Sequence, residues 1–340
     1  MTVDATVLTR LDARYPWVGW VWRWGISLWS LALGLLTLFV FRRGLPHVGW
    51  IVGYLLLLWC LFAVLAELGG VLERRGRRLV VDAGEYVILS LCHNLLLFVL
   101  PAYYASATLT SVNGVFMAAL AAVALVTAID PVYRRLVHPR AWRRHVLFAF
   151  SVFAALNVAL PLVGVRPILA LAGSAALAVL ALTPGLRQDG AVSWMKAHAR
   201  AVALACLAVA LVWYGRAVVP PAPLFLAHTV AARAVTDLTP VDVIHGSVSA
   251  VTVEEWGELA AYTAVYAPGG LRQAIQHVWS PNGVVIARIP LSPVSGGRAE
   301  GFRTYSVTRR LTPPIDGRYT VDVATVSGQL IGRLRFAVTP

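Results

Sequence analysis

The chain has 340 residues, of which 59% are hydrophobic and only 13% charged, and its mean hydropathy is +0.72. Soluble domains are about a quarter charged, so the composition argues against a soluble enzyme and excludes disorder over most of the length. The net charge of +13 lies mainly in short arginine-rich loops between apolar runs, which is the positive-inside pattern of a membrane protein and not the footprint of a nucleic-acid binder.

A membrane-spanning helix needs about 20 mostly apolar residues. Seven segments are expected to form one: about 17–41, 48–71, 79–102, 111–129, 145–165, 167–183 and 199–219. The first opens with Trp17, Trp20, Trp22 and Trp24, residues suited to an interfacial belt, with Arg23 placed to snorkel among them. It is long enough to stay in the bilayer, so no cleavable signal is expected. The sixth is short and rich in Ala, Gly and Ser, which permits close helix packing. If it is re-entrant, everything after it changes side.

Orientation follows from the loops. With a cytoplasmic amino terminus, the cytoplasmic segments hold 14 Lys and Arg and the opposite loops hold 3. Seven spans from that start place the rest of the chain outside the cytoplasm. The domains expected are therefore a transmembrane helical bundle over 1–219 and an extracytoplasmic domain over 220–340. Cys60, Cys92 and Cys206 all lie in apolar runs, and no disulfide framework or cysteine metal site is expected.

From Pro220 onward the period changes to two. Apolar and polar residues alternate through Tyr319-Thr320-Val321-Asp322-Val323, and Leu334, Phe336 and Val338 form a one-sided row. Strands with one buried face are expected near 225–234, 247–253, 259–266, 272–280, 284–291, 302–309, 318–325 and 329–338. Pro281-Asn282-Gly283, Asp316-Gly317 and Ser327-Gly328 read as turns. The fold class expected is thus an α-helical polytopic bundle followed by an all-β antiparallel sandwich.

The tail carries a resemblance. His277-Val278-Trp279, Asn282-Gly283, Gly301-Phe302-Arg303-Thr304-Tyr305-Ser306, Gly317-Arg318-Tyr319, Gly328 and Phe336-Ala337-Val338 occur in that order. This resembles the bacterial domain-of-unknown-function family 2914, in which an H-x-W strand, an R-T-Y/W-S strand and a closing G-x-W/Y-x-V strand recur. The resemblance covers roughly 228–339. Ser280 stands where the family often has an aromatic residue, and Tyr319 where it often has Trp. The helical part is similar to the membrane portion that accompanies this domain in some bacterial envelope proteins. The resemblance implies a bacterial inner-membrane address and a fold, and no known activity.

Two groups of residues are candidates for chemistry. On the third segment, Asp82, Tyr86, Ser90 and His93 fall within about 80° around a helix axis, with Asn94 beside them and Glu85 near the cytoplasmic end. Glu67 approaches the same end of the second segment. Ionisable groups in hydrocarbon are functional candidates by default, and a His within reach of carboxylates can relay protons. The alternative is that Glu67, Asp82 and Glu85 lie at headgroup level and pair with Arg74, Arg75, Arg77 or Arg78, with His93 and Asn94 as interhelical hydrogen-bond glue. Asn113, Asn157, Pro101 and Pro161 are read as structural, polar side chains serving backbone groups freed by proline.

In the sandwich, His277 and Trp279 share one strand face, and Arg303 and Tyr305 share a face of another. Adjacent and exposed, they would make an aromatic and cationic platform for a sugar, a lipid head or a peptide. The alternative makes Trp279 the core plug with a satisfied His beside it. No catalytic motif, metal site or cofactor loop is present in the sequence. The expected function is therefore an integral membrane envelope protein presenting a non-catalytic sandwich. Its partners would be the lipid bilayer and an envelope protein or glycan ligand, with no nucleic acid. A proton-coupled transporter or channel using the polar stripe, and a membrane enzyme acting on lipid-linked substrates, are the competing readings.

Overall fold

The computed structural model describes residues 48–187, 192–311 and 313–340. The expected span at 17–41 lies outside them. Among the described residues seven α-helices precede the strands: α1 Val48–Arg74, α2 Arg78–Ser106, α3 Asn113–Ala128, α4 Asp130–Leu136, α5 Ala141–Leu162, α6 Pro167–Leu180 and α7 Trp194–Tyr214, with one 3-10 turn at Gly185–Arg187. A helix bonds most of its backbone groups within the segment, as a bilayer demands.

Four of them (α1, α2, α5 and α7) are long and apolar enough to cross a membrane, and α3 with α4 makes a fifth only as one broken span bent by 105°. The expectation of seven spans is corrected on length. The 16 residues of α3 rise about 24 Å and the 14 of α6 about 21 Å, short of a hydrocarbon core of about 30 Å. Pro131 at the start of α4, which has no N–H to donate, marks the break.

The rest is β-rich: β1 Phe225–Thr236, β2 Thr239–Ile244, β3 Ser247–Ser249, β4 Leu259–Tyr266, β5 Arg272–Gln273, β6 Ile275–Pro281, β7 Ala287–Pro290, β8 Val294–Ser295, β9 Phe302–Thr308, β10 Gly317–Thr325 and β11 Leu330–Thr339, with helix α8 at Ala250–Trp256. One sheet runs β2-β1-β4-β9 and the other β3-β11-β10-β6-β7, with β5 and β8 forming a separate pair. Every pairing is antiparallel except β11 with β3. Trp279, Val321 and Phe336 of one sheet and Ala231, Leu259 and Ala261 of the other close a common core. A second cluster joins Val265 to Ile275, Val323 and Ile331.

Two segments depart from expectation. β2 is not expected from the sequence, because its turn, Asp237-Leu238, takes positive φ at both positions (49° and 57°) without a glycine. The expected strand at 247–253 stops after Ser249. That side chain accepts the Thr252 N–H and starts α8, which closes at Gly257 in the left-handed region (φ 64°).

The chain forms two compact units. Of the described residues, the first comprises those from 48 to 101, Ala119–Ala155 and Ala175–Ala208, and the second Ala102–Ala118, Leu156–Ser174 and Val209–Pro340. Within the second, the sandwich is bonded to helix ends. Asn113 Nδ2 donates to the Leu330 carbonyl at 3.1 Å, Arg216 Nε to the Ser327 carbonyl at 2.6 Å, and Arg335 to the Thr110 hydroxyl.

Candidate functional site

One face of α2 lines a cavity. Within the first unit a space of about 620 Å³ is walled on α2 by Val81, Glu85, Ile88, Leu89 and Cys92, an i, i+4, i+7, i+8, i+11 stripe. Of the residues singled out in the sequence, Glu85 alone borders it. The expected stripe of Asp82, Tyr86, Ser90 and His93 lies on a neighbouring face. Asp82 and Tyr86 are exposed, Ser90 and Asn94 half-buried and His93 buried.

The ionic partners also differ from expectation. Glu85 pairs with Arg144 on α5, and His138 Nε2 lies 3.4 Å from its other oxygen. Glu67 pairs with Arg187 in the 3-10 turn. The arginines of 74–78 serve neither. Short-range sequence spacing proposed those partners, whereas helix packing brings in residues 59 and 120 positions away. His93 Nδ1 lies 3.0 Å from the Thr127 hydroxyl of α3, and its Nε2 is buried without a partner. Asn157 donates to the Tyr103 hydroxyl at 3.0 Å, not to a carbonyl freed by Pro101 or Pro161.

The sequence did not single out Glu73, Tyr133, Arg144 and His145, which also line the cavity. The nearest sequence signal is the small-residue run Ala66, Gly69, Gly70 on α1, which makes room for it. A side chain at Gly185 would meet His145 Nε2 and Phe62 at 2.8 Å each, so glycine there lets the imidazole lie flat against the turn. Phe62 meets that ring edge-on at 5.9 Å and stacks on Phe148 at 4.2 Å. Among the described residues no group of three His, Cys, Asp or Glu is placed to hold a metal.

In the sandwich the four candidates divide into two pairs that share no face. His277 and Trp279 point inward from β6 and are fully buried. Trp279 Nε1 donates to Ser306 Oγ at 2.9 Å, and His277 Nδ1 lies 2.7 Å from the same oxygen. His277 Nε2 lies 3.0 Å from the Thr263 hydroxyl. This clasp ties β6 of one sheet to β4 and β9 of the other. In either tautomer both ring nitrogens find a hydroxyl while the ring stays neutral. Burial away from any carboxylate pushes the His277 pKa down to about 4.

Arg303 and Tyr305 alternate with the inward Thr304 and Ser306, so both face outward. Tyr305 stands opposite Tyr262 and Arg303 opposite Ala264, and His228 meets Tyr262 edge-on at 6.3 Å. Arg303 also pairs with Glu300 at 3.0 Å on the surface. The outer face of this sheet thus exposes Tyr305, Arg303 and His228, while Tyr262 between them is buried.

Comparison with known proteins gives two family matches. The model described as "Family of unknown function (DUF5924)" matches residues 6–257, and that described as "Protein of unknown function (DUF2914)" matches 272–338. The second match starts later than the resemblance read from the sequence, so β1, β2, β3 and α8 fall within the first. It contains the clasp residues His277, Trp279 and Ser306. No curated protein and no solved structure matches the chain.

Proposed function

The chain belongs to the DUF5924 family of unknown function, and we propose that it is a multi-pass protein of a bacterial inner membrane that presents a non-catalytic β-sandwich to the extracytoplasmic space, where its outer face binds an envelope protein or glycan. One observation carries this reading. The helix ends of the sandwich's own unit, around 106–113, 163–166 and 214–219, contain two arginines, Arg166 and Arg216. The arginine clusters at 74–78 and 134–144 all belong to the other unit. Under the positive-inside rule the sandwich then lies outside.

The test is labelling of single cysteines in a chain freed of its own three. A membrane-impermeant maleimide added to intact spheroplasts labels a cysteine at Pro340 and leaves one at Gly76 unlabelled until the membrane is opened. The reverse pattern overturns the reading. For the ligand, the purified chain cosediments with peptidoglycan sacculi, and Tyr305→Ala with Arg303→Ala lowers this about tenfold. Unchanged cosedimentation removes the glycan and leaves the protein partner.

A second reading, a proton-coupled transporter or channel along α2, draws on the buried and unpartnered Nε2 of His93. It requires that His93→Ala abolish proton-coupled flux in reconstituted vesicles while the chain still inserts.

A further inference from the structure

The cavity of the first unit has a polar mouth and an apolar floor. Its charged lining residues, Glu73, Glu85 and Arg144, lie near the loop ends of α1, α2 and α5. Cys92 lies 7 residues deeper than Glu85 along α2, and Phe148, on which Phe62 stacks, 4 residues deeper than Arg144 along α5, about 10 and 6 Å by helical rise. The volume of about 620 Å³ falls in the range of small-ligand pockets. This gradient along one axis is the shape of an amphiphile.

The sign of the head follows from the charges. Glu85 is already matched by Arg144 and faces His138. The guanidinium of Arg144 gives one of its five N–H donors to that bond. Among the described residues neither ring nitrogen of His145 has a hydrogen-bond partner. Glu73 stands exposed at the rim, next in sequence to Arg74, Arg75, Arg77 and Arg78, all exposed. An anion gains donors here, and a cation meets arginines.

We propose that this cavity binds a single-chain amphiphile with an anionic head. The chain lies among Phe62, Leu89, Cys92 and Phe148, and a carboxylate or phosphate sits at Arg144 and His145. The site does not depend on which side of the membrane its mouth faces.

The experiment uses the full chain in nanodiscs with dansyl-undecanoate as the fluorescent probe. Saturable binding is displaced by oleate or lysophosphatidate, and which of the two competes better identifies the carboxylate or the phosphate as the preferred head. Dodecylamine, with the same kind of chain and a cationic head, competes at least tenfold less well. A Cβ at Gly69 meets nothing within 4 Å, so Gly69→Leu grows into open space and lowers affinity at least tenfold without a backbone clash. Arg144→Gln lowers it about tenfold, whereas Glu85→Gln, which breaks the same ion pair and leaves the cation in place, keeps it. Equal loss in the Arg144 and Glu85 variants, binding indifferent to Gly69→Leu, or dodecylamine competing as well as oleate each overturns the proposal.

Discussion

A single hydroxyl, Ser306 Oγ, holds two fully buried polar side chains of the sandwich core, His277 and Trp279. Ser306→Ala strands the indole N–H and one imidazole nitrogen in a dry interior, at about 1–3 kcal/mol for each unpaired group. Hydrogen exchange of the β6 and β9 amides, read by mass spectrometry on the full chain, is expected to speed accordingly, and unchanged protection would show the clasp to be idle. The same clasp sets a pH dependence. The folded pKa of His277, about 4, lies below the unfolded value of about 6.5, so the unfolded chain takes up the proton first. The contribution of the neutral ring is complete above about pH 6.5 and is lost as pH falls towards 4, some 3 kcal/mol in all. Protection of β6 measured from pH 7 to pH 4 should fall in that window, and His277→Gln should flatten the profile.

Elements here end where a side chain intervenes. Asn113, at the start of α3, accepts from the Thr108 N–H at 3.0 Å and from the Ser111 hydroxyl at 2.6 Å while donating to Leu330 of β11. Asn113→Ala therefore loosens a loop and a strand together, leaving the Thr108 N–H and the Leu330 carbonyl unpaired at about 1–3 kcal/mol each. Faster exchange in both the 106–112 loop and the start of β11 is the expected signature, and loosening of the loop alone would contradict the coupling. The β6–β7 turn was legible as Pro281-Asn282-Gly283, and it forms with positive φ at Asn282 and Gly283 (48° and 82°). Its second use was not legible. Asn282 Oδ1 accepts from the Arg318 N–H at 2.9 Å across the space that Gly317 leaves open. A side chain at 317 strikes the Asn282 amide, so Gly317→Ala separates the turn from β10.

For the whole molecule, the question that length alone leaves open is the path of α6. Its first half, Pro167–Ser174, belongs to the second unit and its last residues to the first. The proposed outside address of the sandwich requires the chain to cross between α5 and α7, where α6 by itself is short of the core, so cysteines at Val163 and at Trp194 are expected to label from opposite sides, Val163 on the same side as Pro340. Labelling of both from one side would make α6 re-entrant and place the sandwich in the cytoplasm. The ion pairs of Glu67 and Glu85 act at this scale as well, each joining segments far apart in sequence. Both are partly exposed, so each contributes less than about 1 kcal/mol, and Glu85→Gln should insert normally with only local loosening around α4.

The amino-acid sequence by itself determined the broad architecture, because each of its signals is local and additive. Apolar runs mark helices, period-two alternation marks strands, and Asn-Gly marks a turn, each within about ten residues. The H-x-W and R-T-Y-S strands were likewise legible as a family resemblance. The number of spans is overcounted, because the apolar runs at 111–129 and 167–183 are taken as long enough to cross whereas their helices, α3 and α6, have only 16 and 14 residues. Tertiary structure alone decided which residues meet. It turned the Asp82–His93 stripe away from the cavity and gave Glu85 to Arg144. It also sent His277 and Trp279 inward while Arg303 and Tyr305 faced out. Burial and partnership depend on packing between segments scores of residues apart, and a one-dimensional period carries no record of that packing.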